Sequence, residues 1–117
     1  MKSVVINDCY GGFRLSEEAI KLYGELKGLN LKKIGDKYGE YYINGIENDK
    51  NLFDDRDIKR DDPCLVETVL ILKKRVNGIC SDLKLVEIPK EVSFSIEEYD
   101  GLETVVEKRL DNRRRWN

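Results

Sequence analysis

The sequence predicts an α+β domain: a mainly antiparallel sheet with two helices packed on one face. Three observations carry that prediction. A β-branched run, Val4 to Ile6, opens the chain; two segments of helical period follow, each with its own start signal; and the period changes to strict alternation after Ser81.

At 117 residues, 40% hydrophobic and 38% charged, the chain can bury one core, so 1–117 is read as a single domain with a heavily charged surface. The first strand covers Lys2 to Asn7 and ends in Asp8 to Gly12. Ser16 is placed to cap a helix that runs to about Lys27; Glu17 and Glu18 suit its positive start and Gly28 its end. Residues 29–60 mix glycine and asparagine with one strand-like piece, Glu40 to Ile43, and are expected to form an irregular insertion.

Asp62 followed by Pro63 starts the second helix, whose apolar arc of Leu65, Val66, Val69, Leu70, Leu72 and Val76 predicts deep packing up to Asn77 and Gly78. Leu83 to Ile88 is a strand stopped by Pro89. Val92, Phe94 and Ile96 alternate with polar residues in the next strand, Asp100-Gly101 supplies a two-residue turn, and Leu102 to Leu110 returns.

The chain has no histidine, which removes the commonest general base and zinc ligand. Three widely spaced cysteines, Cys9, Cys64 and Cys80, lack any CxxC pair and read as reduced thiols. No apolar run is long enough to span a bilayer, and the N-terminus lacks a signal pattern, so the expectation is a cytoplasmic protein with no membrane partner. The formal charge of −2 hides an asymmetry. The basic C-terminal tail, 108–117, carries a local +4 and leaves the rest of the chain at −6.

Three constellations are candidates for chemistry. In Asn7 to Arg14, Gly11 and Gly12 permit close backbone approach to an anion, and Tyr10 or Phe13 could stack on a ring; the alternative is a tight turn whose aromatics cap the core. In the tail, Arg109 and Arg113 are spaced to grip a phosphate, with Trp116 available to stack, against the alternative of a solvated charged end. The acidic set Glu97, Glu98, Asp100, Glu103 and Glu107 reads chiefly as the wet face of the hairpin. Groups that hold a ligand thus outnumber groups that break bonds, so no enzyme, catalytic residue, metal or cofactor is expected.

Three stretches also carry a family resemblance: Val4 to Phe13 (VVINDCYGGF), Arg60 to Val69 (RDDPCLVETV) and Val86 to Lys108 (VEIPKEVSFSIEEYDGLETVVEK), closed by a basic, tryptophan-containing tail. Together they resemble small phage and prophage proteins of the Thoeris anti-defence sponge group. The resemblance implies a viral protein, acting in the cytoplasm of an infected bacterium, that sequesters a cyclic ADP-ribose immune signal of TIR signalling intact. It also implies a homodimer or a higher homo-oligomer such as a hexamer, and binding of cyclic oligonucleotides at separate sites. On this reading the ligand-binding residues are Arg109, Arg113, Phe13 and Tyr10. The competing expectation is a phage accessory protein that binds nucleic acid through the basic tail, against which the net acidity counts.

Overall fold

The computed structural model describes residues 1–35 and 40–107 in full, and the backbone of 108 and 113–116. Its centre is a two-stranded antiparallel ladder. Strand β1 (Lys2–Asn7) pairs with a later strand, Leu83–Ile88, placing Val4 opposite Val86 and Asn7 opposite Leu83. Val4, Val5 and Ile6 are all fully buried, because this ladder is covered on both faces. That two-sided burial is what a continuous β-branched run demands.

One face is covered by the helices. Helix α1 (Glu17–Lys27) begins where the Ser16 hydroxyl accepts the Ala19 amide, and ends at Gly28 in a left-handed conformation. Helix α2 (Pro63–Leu72) begins where the Asp62 carboxylate accepts the Cys64 amide. Ala19 and Tyr23 of α1 meet Leu65, Val69 and Leu72 of α2 over Val5 and Leu83.

The helix of α2 stops four residues short of Val76. Lys73 takes a positive φ, and Lys73–Val76 tightens into a 3-10 turn. Leu70, predicted to be packed, is 54% exposed, since the arc of α2 is wider than the surface α1 and the ladder can cover.

The segment 29–60 is more ordered than its composition suggests. Strands β2 (Leu31–Ile34), β3 (Glu40–Ile43) and β4 (Leu52–Phe53) form an antiparallel meander, followed by a 3-10 turn at Asp55–Asp57 capped by Asp54. The meander is held by packing on α1: Phe53 joins the helical core with its ring centroid 5.9 Å from that of Tyr23.

After β5 (Leu83–Ile88), strands β6 (Ser93–Tyr99), β7 (Leu102–Lys108) and β8 (Arg113–Trp116) make a third antiparallel sheet. Its Phe94, Ile96 and Val105 pack on Val4, Ile6, Val86 and Ile88, covering the second face of the central ladder. The end of the chain, read as a tail, therefore includes a strand paired to β7. Among the described residues, no helix is long and apolar enough to cross a membrane.

A buried network locks the two helices together. The Asp62 carboxylate that caps α2 also accepts from the Tyr23 hydroxyl and the Lys27 ammonium, each at 2.9 Å. Burial alone pushes Asp62 upward, but the hydrogen bonds from Lys27, Tyr23 and the Cys64 amide outweigh it and hold the carboxyl below its ordinary value. Asp62→Ala is expected to cost about 2–3 kcal/mol at neutral pH, read by urea unfolding. A depressed folded-state pKa stabilises above the unfolded value and loses that effect as pH falls through the folded one. The gap between parent and variant therefore narrows on acidification below the ordinary Asp value of 3.8.

Candidate functional site

A polar concavity forms where β1 ends. Four segments converge there: the diglycine loop after β1, the 54–60 segment, the loop before β5 and the tip of the β6–β7 hairpin. Asn7, fully buried, ties three of them. Its side-chain Nδ2 donates to the carbonyls of Cys9 and Gly101, and its Oδ1 accepts the Asp82 backbone amide.

Gly11 and Gly101 are required by this convergence. The Gly11 amide donates to the Asp100 carbonyl, and a Cβ on Gly11 would lie 2.2 Å from the Cys80 carbonyl oxygen. The hairpin tip turns through positive φ at both Asp100 and Gly101, as the Asp-Gly pair predicts.

These segments frame a groove of about 550 Å³ whose wall includes Gly12, Phe13, Arg14, Arg56, Arg60, Glu98 and Glu103. Each arginine is held by a carboxylate. Arg60 is the deepest: two of its guanidinium nitrogens donate to the two Glu103 oxygens, one at 3.0 Å, and its guanidinium lies 3.6 Å from the centroid of the Phe13 ring. Glu103 also accepts the Asn7 amide at 2.8 Å. Arg56 is gripped bidentately by Asp54 at 2.8 and 3.0 Å, and Arg14 meets Asp55 at 3.4 Å. Hydrogen bonding from the Arg56 side chain, against the opposing effect of burial, holds Asp54 down at about 2. The Asp54–Arg56 grip therefore persists across the physiological pH range.

The side chains of Arg14 and Arg56 remain more than half exposed, so they can meet an anion while part of each guanidinium stays anchored on its carboxylate. Each of the three arginines is paired with a carboxylate, so the wall offers fixed, oriented guanidinium donors and not a net positive charge. Preformed, planar donors of this kind suit phosphate. Among the described residues, no group of three His, Cys, Asp or Glu side chains is placed to hold a metal ion.

The residues singled out in the sequence fall in different places. Phe13 does line the groove, but it is 4% exposed, belongs to the helical core and has Arg60 over its ring, so that face is closed to stacking. Tyr10 is 67% exposed and does not line the groove. Arg113 begins β8 opposite Lys108, five positions along β7 from Glu103, which is about 17 Å at strand rise. Arg109 lies outside the described residues.

For two of the five acidic residues of the hairpin the wet-face reading is corrected, whereas Glu98 and Asp100 are exposed as expected. Glu103 is 7% and Glu107 1% exposed: they share the inward face of β7 with Val105 and are not a wet face. Alternation identifies which residues share a face, but Arg60, 43 positions away, is what makes burial of Glu103 tolerable. The arginines of the groove were equally hidden, because each sits beside an acid in the chain or in space and cancels in any local charge count.

No protein-family model, no curated protein and no solved structure matches the chain.

Proposed function

We propose that this protein is a non-catalytic binder that sequesters a small phosphorylated nucleotide signal of the cyclic ADP-ribose type, intact, in the groove between the diglycine loop and Arg60. The observation that carries the reading is the convergence of Arg14, Arg56 and Arg60 on one concavity of nucleotide size beside a glycine backbone. The sequence resemblance to the Thoeris anti-defence sponge group supports the same ligand class. Tight holding needs no differential stabilisation of a transition state, and a groove built from arginine–carboxylate pairs fits that demand.

The reading includes a phage or prophage origin and action in the host cytoplasm. It also includes a homodimer or a higher homo-oligomer such as a hexamer, with Arg109 and Arg113 among the ligand-binding residues. Isothermal titration with glycocyclic ADP-ribose is expected to give one stoichiometric site per chain, and heating the complex is expected to release the ligand chemically unaltered. Arg56→Ala is expected to weaken binding by about tenfold or more, the loss of a charge-assisted contact. Folded protein that shows neither heat nor ligand retention overturns the proposal. Steeply salt-dependent binding of arbitrary DNA or RNA instead would identify a nucleic-acid binder.

A further inference from the structure

A second, smaller cavity of about 240 Å³ adjoins the groove, sharing Arg14 and Arg56 as lining residues. We infer that this cavity is a nucleobase pocket, taking the ring of a nucleotide whose phosphates meet the shared arginines. The phosphate half of this inference rests on the function proposed above; the base half stands on the cavity's own chemistry.

Three features of the wall define that chemistry. Ile20, Leu52 and Phe53 supply apolar surface for the faces of a ring. Tyr41, only 6% exposed, also lines the cavity, and its hydroxyl has no hydrogen-bond partner among the described residues. Native proteins rarely leave such a group unpaired. The contrast with Tyr23, whose hydroxyl donates to Asp62, shows that this fold can satisfy a buried phenol. Burial, reinforced by the Glu17 charge, pushes Tyr41 above its ordinary value, so it remains a hydroxyl donor at neutral pH. Glu40 lines the same wall, and its carboxylate, which accepts a long 3.3 Å bond from the Tyr42 hydroxyl, adds an acceptor.

A donor and an acceptor beside an apolar surface match a base that carries a ring nitrogen and an exocyclic amino group. The volume falls below that of pockets enclosing whole drug-sized ligands, so the cavity suits one ring and not an entire dinucleotide. A sugar bridging the two spaces would pass Arg14 and Arg56, with the base in the cavity and phosphate in the groove.

The test separates the two halves. Amide chemical shifts of the whole chain are followed on addition of adenosine, cytidine, inorganic pyrophosphate and adenosine diphosphate. The nucleosides are expected to move Ile20, Tyr41 and Phe53, and pyrophosphate to move Gly12, Phe13 and Arg60. The diphosphate is expected to move both sets and to bind more tightly than either part. Tyr41→Phe is expected to weaken nucleoside binding about tenfold, leave pyrophosphate binding unchanged, and melt no lower than the parent, since it removes an unpaired hydroxyl. Nucleosides that leave the cavity amides unmoved, or bind Tyr41→Phe as well as the parent, overturn the base pocket whatever pyrophosphate does. Failure of pyrophosphate alone overturns the phosphate reading and leaves the base pocket supported.

Discussion

Arg60→Leu is expected to destabilise the protein by about 3–5 kcal/mol, because it leaves the Glu103 carboxylate buried without its cation. The side chains of the pair are 14% and 8% exposed, so water can do little to replace the lost partner. The substitution also strips the guanidinium from the Phe13 ring, a contact worth about 0.5–2 kcal/mol on its own. For a domain of ordinary stability, about 5–15 kcal/mol, the loss is about a fifth of the total or more. Urea unfolding measures it, and a double-mutant cycle assigns it. Arg60→Leu with Glu103→Leu together should recover part of the loss, since neither charge is then stranded although the buried Asn7 backbone amide loses its acceptor. A double variant that is only as stable as the two single losses added together would show that the pair is not coupled. Ligand binding should fail in the double variant even where stability returns, because the groove has lost its deepest arginine.

Gly101→Ala is expected to be nearly as damaging for a different reason. Its φ of +88° disfavours any side chain, and a Cβ there would stand 2.4 Å from the Gly12 nitrogen and 2.5 Å from the Gly11 carbonyl carbon. Both neighbours are backbone, so the hairpin tip must part from the diglycine loop, at a cost of about 2–5 kcal/mol from strain and overpacking combined. The thermal midpoint should fall by roughly 10 °C or more. Gly12→Ala is the control: its φ of +141° carries strain, but a Cβ meets nothing within 4 Å, so the expected cost is only about 1–2 kcal/mol. Equal midpoints for the two variants would show that the close approach at Gly101 does not constrain the loop. Because the same approach shapes the groove, Gly101→Ala should also lose ligand, whereas Gly12→Ala should retain most binding.

These two residues mark the limit of what local pattern reveals. Gly101 is legible, since an Asp-Gly pair between alternating strands calls for a turn with positive φ at both positions. Its contact with Gly11 and Gly12 is not, because nothing in the hairpin specifies what lies beneath it. Arg60 is adjacent to the Asp62-Pro63 helix start, which draws attention to capping and away from Glu103. Tyr41 sits in a recognisable strand piece, but an unpaired hydroxyl is a property of its surroundings and leaves no trace in spacing.

The order of the two helices and of strands β1, β3 and β5 to β7 follows from the chain alone, because caps, turn residues and periodicity act over a few positions: Ser16, Gly28, Asp62-Pro63 and Asp100-Gly101 each do their work on immediate neighbours. The α+β class and the pairing of β6 with β7 belong to that category. Tertiary structure alone decided which face of β7 is buried, how residues 31–57 form a meander on α1, and which arginines share a groove. The reason is electrostatic as much as geometric. A buried carboxylate or a phosphate-sized cluster of guanidinium groups depends on partners 40 or more residues apart, such as Arg60 with Glu103 and Arg14 with Asp55, and only the folded chain brings those charges within a hydrogen bond of one another.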